Sequence, residues 1–216
     1  MRLAREISKG GMVAGDSFMS AITDLIRTEK LMNIIETGSY HGLGTTKAIR
    51  DGMSGGELVY SIEINPQYIR TAMANNRGSG IKFLKGLSID SKELPTSFSF
   101  DVPDHVVIDH LDKDMVKNYS QEVRFAGDDN LLQFALFKMN LCPDLVILDS
   151  AGHLGLLEFN YLMSRVKGSF YLALDDIGHV KHYDTMQYII NNSDRFKILF
   201  QTDEKFGSAI IRVSIL

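Results

Sequence analysis

Five acidic side chains, each at the end of an apolar run, carry most of the chemistry open to this chain. Ile34-Ile35-Glu36-Thr37-Gly38-Ser39-Tyr40-His41-Gly42 closes one run with Glu36 and a glycine loop, and Val59-Tyr60-Ser61-Ile62-Glu63 closes a second. Leu145-Val146-Ile147-Leu148-Asp149 and Leu172-Ala173-Leu174-Asp175-Asp176 close two more. If the runs are parallel strands, their carboxyl ends gather at one rim, where ligands bind. Gly38 and Gly42 let the backbone approach a ligand closely, and a helix starting near Thr45 offers free N–H groups and a positive dipole end to an anion. Glu63 is placed to accept hydrogen bonds from a ribose diol. Together these residues read as a nucleoside-binding βαβ unit. Gly38, Gly42 and Gly44 follow G-x-x-x-G-x-G, not the G-x-G-x-x-G of a pyrophosphate cradle, and suit a smaller anion such as an amino-acid carboxylate. Asp149, Asp175 and Asp176 would repel one another at the same rim unless a cation or a bound proton offset them. A hard divalent ion with oxygen ligands, magnesium, manganese or calcium, is the natural partner.

The elements that position these residues follow from periodicity. Short apolar runs alternate with helical patterns, which argues for an α/β fold with a mostly parallel sheet covered by helices on both faces. Seven strands are expected, at 31–36, 57–63, 81–85, 144–149, 169–175, 195–202 and 207–215. Asn65 and Pro66 open a helix with Ile69, Ala72 and Met73 at helical spacing, and Leu156 to Val166 forms another, closed by Gly168. Asp128 or Asp129 is expected to cap a helix from Leu131 to Met139. The last two strands, separated by a short polar segment containing Gly207, read as an antiparallel hairpin. Residues 96–129 exceed a minimal fold of this kind. They hold Asp101, Asp104, Asp109, Asp112 and Asp114 with His105 and His110, and read as an insertion, a solvated acidic lid or a contact in a homo-oligomer rather than as a metal site.

Composition bounds the function. With 216 residues, 44% hydrophobic and 23% charged, the chain suits a single globular domain over 1–216. A net charge of −4 and a pI near 5.9 argue against general nucleic-acid binding, which needs a surplus of Lys and Arg. Cys142 alone makes no disulfide and reads as a buried thiol. No run reaches the roughly 20 apolar residues of a membrane span, and the first residues lack a signal-peptide pattern, so a soluble cytoplasmic protein is expected.

The stretches Glu36 to Gly42 and Ile62-Glu63-Ile64-Asn65-Pro66 resemble the first two motifs of class I S-adenosylmethionine-dependent methyltransferases. The likeness is greatest to the branch of catechol and caffeoyl-CoA O-methyltransferases and their bacterial relatives. It extends to Gly86-Leu87-Ser88-Ile89-Asp90, similar to the segment that lines adenine, and to Met12-Val13-Ala14-Gly15-Asp16, similar to the segment that folds over the methionine end. The resemblance covers roughly 12–216 and implies a Rossmann-like seven-stranded sheet with an antiparallel C-terminal hairpin strand. It implies S-adenosylmethionine as cofactor, held by Met12, Glu36, Gly38, Ser39, Tyr40, Gly42, Glu63, Ile64, Gly86, Ser88, Ile89 and Asp149. In this family an Asp after the fourth strand and an Asp-Asn pair after the fifth hold magnesium. Asp149, Asp175 and Asp176 fall on those positions, with Asp176 in place of Asn.

Methyl transfer from a sulfonium is an in-line displacement, so the protein has to position the acceptor and remove its proton. The family's catalytic Lys falls on Gly152 here. His153, the next residue, is the leading candidate base beside Asp149, followed by His179, with His182 also near the loop after Asp176. His41 reads as packing within the glycine loop. No G-x-S-x-G elbow is present. The sequence therefore points to O-methylation of a small hydroxylated acceptor, with a divalent metal as a candidate assistant. An NAD-dependent oxidoreductase is disfavoured by the glycine spacing and the hairpin. A catalytically silent cofactor-binding or assembly module is kept open by the missing Lys and the acidic insertion.

Overall fold

A computed structural model describes residues 16–94, 101–108, 114, 117, 123, 124, 126, 128–151 and 154–215. Its centre is one seven-stranded sheet. In chain order the elements are α1 (Ser17–Glu29), β1 (Asn33–Thr37), α2 (Thr45–Gly52), β2 (Leu58–Glu63), α3 (Pro66–Asn75) and β3 (Lys82–Lys85). They continue with α4 (Leu131–Lys138), β4 (Leu145–Leu148), α5 (Leu154–Arg165), β5 (Phe170–Asp175), α6 (Tyr183–Asn191), β6 (Phe196–Thr202) and β7 (Ser208–Val213).

The strands lie in the order β3-β2-β1-β4-β5-β7-β6. β1 pairs in parallel with both β2 and β4, and β4 with β5, whereas β7 runs antiparallel between β5 and β6. The order reverses beside β1, and there the connections leaving β1 and β4 turn to opposite faces of the sheet, which leaves a crevice for a ligand. This is the expected architecture, with strand ends within two residues of the sequence reading.

Both faces of the central strands are covered, which is why β4 and β5 are continuous apolar runs instead of alternating ones. Val146 and Leu148 point into a core with Leu132 and Leu136 of α4, Phe159 and Leu162 of α5 and Ile189 of α6. Leu145 and Ile147 point the other way, against Phe18, Ile22 and Ile26 of α1 and Ile49 of α2. Each such side chain, fully buried, contributes roughly 1.5–3 kcal/mol, so the sheet is a rigid support for the loops at its rim.

The helix starts show which local signals decided. Asp16 caps α1 by accepting from the Phe18 N–H at 2.9 Å, and Asn65 caps α3 ahead of Pro66. The expected Asp128 or Asp129 cap on α4 is not made. Asn130 occupies that position in a left-handed conformation, and Asp129 instead accepts from the N–H and hydroxyl of Ser91 at 2.9 and 2.7 Å. Cys142 is exposed, not buried, because the turn after α4 carries it outward while Pro143 packs inward. Among the described residues no helix is long and apolar enough to cross a membrane.

The described part of the acidic segment does not float free. Val107 donates to the Gly178 carbonyl at 3.1 Å and accepts from Val180 N–H at 3.0 Å, a parallel bridge onto the loop that follows β5, and Val106 is buried.

Candidate active site

The glycine loop after β1 is set by backbone contacts on both sides. Gly38 donates to the Ile62 carbonyl at 2.9 Å and adopts φ 79°, and a Cβ on it would lie 2.2 Å from the Asp149 carbonyl oxygen. Glycine is needed here so that β1 and β4 can close on each other; the approach it permits is to the protein's own backbone. Tyr40 follows at φ 47°, held there because its N–H donates to Glu63 Oε2 at 2.8 Å. Glu63 Oε1 accepts from Asn65 N–H at 2.8 Å. Two backbone donors thus orient the Glu63 carboxylate at the tip of β2, where a ribose diol could meet it. Ser39 is 4% exposed, and its hydroxyl has no partner in the protein. A buried hydroxyl without a partner costs free energy unless a ligand completes it. Tyr40, His41 and Tyr68 form an aromatic cluster at the loop, with the Tyr40 and His41 rings 3.9 Å apart.

Glu36 lies at the end of β1, beneath this loop. It is fully buried and its carboxylate accepts from Thr46 Oγ1 at 2.8 Å and Ser61 Oγ at 2.5 Å. Burial pushes its pKa up, and these hydroxyls work against that shift. Glu36 braces the loop from below. A second buried carboxylate does the same for the neighbouring loops. Glu158 of α5 accepts from Thr37 Oγ1 at 2.9 Å and Ser150 Oγ at 2.7 Å, and Ser88 also bonds to it. One side chain thereby ties together the ends of β1 and β4 and the segment after β3. Glu158 was not foreseen, because nothing local in Leu157-Glu158-Phe159 distinguishes it from a solvated helix residue.

Residues 86–89, proposed to line the base, are fixed by backbone bonds to the start of α4. Leu87 donates to Asp128, while the carbonyls of Leu87, Ser88 and Ile89 accept from Leu131, Leu132 and Asn130. Gly86 bridges to Asp128, Ser88 and Ile89 are buried, and Ile64 is half-buried beside Glu63. The Gly42 carbonyl accepts from Asn76 Nδ2 at 2.8 Å, which anchors the far end of the loop to α3. Met12 and His153 lie outside the described residues.

At the rim of β4 and β5 the structure brings Asp149, Asp175 and Asp176 together, with one carboxylate oxygen of each within 4.8 Å of the others. Asp176 has φ 58°, a left-handed conformation that Asp and Asn tolerate better than other side chains. Ser208 of β7 donates to Asp175 Oδ1 at 2.8 Å, and Thr45 Oγ1 reaches Asp149 Oδ2 at 3.4 Å. The group that the sequence reading missed is Lys181. Its Nζ donates to Asp149 Oδ1 at 2.9 Å and to Asp176 Oδ2 at 3.2 Å, and the residue is 3% exposed. The signal was present, since three converging carboxylates require a cation and a lysine follows Asp176 five residues on.

Electrostatics at the rim follow from burial and this ammonium. Burial raises Asp149 well above the ordinary carboxylate range, and Asp175 and Asp176 push it further up against the pull of Lys181. Asp175 is raised for the same first reason, burial. Burial also acts on Asp176, but the charge and hydrogen bond of Lys181 outweigh it and leave this group lowered. Burial alone would lower Lys181; the three carboxylates reverse that and hold it protonated.

His179 and His182 support the same loop. His179 Nδ1 accepts from the Lys181 N–H at 3.2 Å and its ring lies 5.9 Å from Phe206. His182 is fully buried, with Nε2 3.2 Å from the Leu148 carbonyl. Burial first, and the Lys181 charge second, lower its pKa to about 3, so it is neutral.

The residues do not fit a divalent ion as they stand. Three carboxylates are a suitable oxygen donor set, but an ammonium already bonds two of them within hydrogen-bond distance. A metal ion would have to displace it.

No protein-family model matches the chain, and no curated protein matches it in sequence. Solved structures do match. The O-methyltransferase from Bacillus cereus in complex with S-adenosylhomocysteine is 12% identical, with a TM-score of 0.60 over 99% of this chain and 88% of that one. The O-methyltransferase involved in tomaymycin synthesis in Streptomyces achromogenes, in complex with S-adenosylmethionine, is 12% identical, with a TM-score of 0.61 over 99% and 87%. A methyltransferase from Geobacter sulfurreducens is 10% identical, with a TM-score of 0.58 over 99% and 85%. Nearly the whole chain therefore has the fold of these methyltransferases.

Proposed function

We propose that this chain is an S-adenosylmethionine-dependent methyltransferase acting on an oxygen of a small hydroxylated acceptor. The observation that carries the reading is the pairing of Ser39 with Glu63. A buried hydroxyl without a protein partner stands in a glycine loop whose backbone is clamped by an oriented carboxylate. The partnerless Ser39 hydroxyl suits an amino-acid carboxylate, Glu63 suits a ribose diol, and Ser88, held by Glu158, lies with the apolar Ile89 in the segment suited to a base. These are the parts of an amino-acid nucleoside in one crevice. The neighbours' bound ligands, S-adenosylhomocysteine and S-adenosylmethionine, have this composition.

When bound, the cofactor would supply an electrophilic methyl group on a sulfonium. The protein's own contribution is made at the rim beside it. Asp149 connects the two halves of the site, since its N–H donates to the Thr37 carbonyl at 3.1 Å and its carboxylate belongs to the acidic cluster. The carboxylate of Asp149, partly exposed at 19% and with its pKa raised by burial, can accept the proton of an acceptor hydroxyl.

Isothermal calorimetry with S-adenosylhomocysteine and with NAD tests the reading. We expect S-adenosylhomocysteine to bind and to raise the thermal midpoint, and NAD to do neither. Binding of NAD alone would assign the crevice to a dinucleotide and overturn the proposal.

A further inference from the structure

We propose that Lys181 takes the place of a divalent cation, so that this site works without a metal ion. The proposal rests on the methyltransferase reading for the use of the site, but its evidence is independent of that reading. Three observations converge. Lys181 Nζ bonds Asp149 Oδ1 and Asp176 Oδ2 at 2.9 and 3.2 Å, two of the three carboxylates that would hold a divalent ion. Its side chain is 4% exposed, so the ammonium lies inside the rim and is not a surface group that swings in and out. The loop that carries it is fixed from both sides: Val107 pairs with residues 178 and 180, Gly178 donates to the Phe206 carbonyl at 2.7 Å, and His179 Nδ1 accepts the Lys181 N–H.

Moving a strongly paired ammonium out of such a loop breaks two charge-assisted hydrogen bonds and leaves buried carboxylates without their cation. A metal ion would therefore have to overcome the internal cation before gaining its own ligands. Asp176 fits the same account. Where the related pattern has Asn, this chain has a carboxylate in a left-handed turn, and that added charge is the one Lys181 bonds. The acid and the lysine are bonded directly to each other, with Asp176 Oδ2 and Lys181 Nζ 3.2 Å apart.

The test uses the full chain stripped with EDTA, with manganese chloride as the metal probe and S-adenosylhomocysteine as a separate probe. The wild-type thermal midpoint should not respond to millimolar manganese, and electron paramagnetic resonance should show all the manganese free. Lys181→Met should lower the midpoint in EDTA, and manganese should raise it again, because the carboxylates regain a cation. Adding Asp175→Asn to that variant should reduce the manganese response. Tight manganese binding by the wild type, abolished by Asp175→Asn, would overturn the proposal, as would a Lys181→Met variant indifferent to manganese. If Lys181→Met does not fold, the resonance measurement on the wild type still decides. Failure of S-adenosylhomocysteine to shift the wild type would remove the methyltransferase reading, whereas the manganese arm would still rule on Lys181.

Discussion

His182 should make this protein lose stability on mild acidification, and His182→Gln should remove that loss. The ring is buried beside the Lys181 ammonium, with Asp176 and His179 the other titratable groups acting on it, and its pKa is lowered from 6.5 to about 3. Because the folded value is depressed, the unfolded chain binds the extra proton between these values. Stability is therefore complete above pH 6.5 and falls as the pH drops toward 3. From this shift the loss is roughly 2 kcal/mol at pH 5 relative to pH 8, rising to roughly 4–5 kcal/mol near pH 3. The raised acids Glu36, Asp149, Glu158 and Asp175 act in the opposite direction, since protonation favours their folded forms, but they are present in both proteins and largely cancel in the difference. Gln keeps an amide that can donate to the Leu148 carbonyl and cannot titrate. Urea unfolding of both proteins at a series of pH values between 5 and 8 gives the comparison. The gap between wild type and His182→Gln should narrow by about 2 kcal/mol across that range. Parallel curves would show that His182 is not held neutral by its surroundings.

Three further outcomes are expected. Glu63→Ala should weaken S-adenosylhomocysteine binding by about 1–3 kcal/mol in calorimetry, and unchanged affinity would remove Glu63 from the site. Gly155→Ala should destabilise the fold by about 1–3 kcal/mol in urea, because its Cβ would lie 2.4 Å from the His182 ring; an unchanged midpoint would mean that the ring can move. Glu158→Ala should cost about 1–3 kcal/mol by leaving the Thr37 and Ser150 hydroxyls without their acceptor, and Glu158→Gln should recover most of the loss; equal effects of the two would assign the carboxylate no hydrogen-bonding role.

The strands and the rim were legible because their signals are local. β4 and β5 are apolar through their length, as buried parallel strands must be, and each ends in a carboxylate. Asn65-Pro66 announced α3 by capping chemistry that depends on adjacent residues alone. What escaped depends on partners far along the chain. Asp129 looked like a helix cap, but its partner is Ser91, 38 residues earlier. Glu36 reads from the sequence as a strand-end acid, but the hydroxyls that hold it, Thr46 and Ser61, lie 10 and 25 residues further on. Lys181 sits in Val180-Lys181-His182, where a lysine reads as a surface charge, and only the folding of its loop toward Asp149 turns it inward. The need for a cation could be deduced from the acids; the identity of that cation depended on a contact across 32 residues.

The placement of β7 gives this site a place in time as well as in space. β7 follows β6 in the chain but inserts between β5 and β6 in the sheet, and Ser208 at its start holds Asp175. As the chain leaves the ribosome, β5 and β6 are complete before the strand that joins them, although β5 already has β4 on its other side. Each presents an unpaired edge until the residues through Val213 emerge. Ser208 is the last of the rim residues to be synthesised, so a chain that stops before it carries the acids and Lys181 but lacks the hydroxyl that holds Asp175.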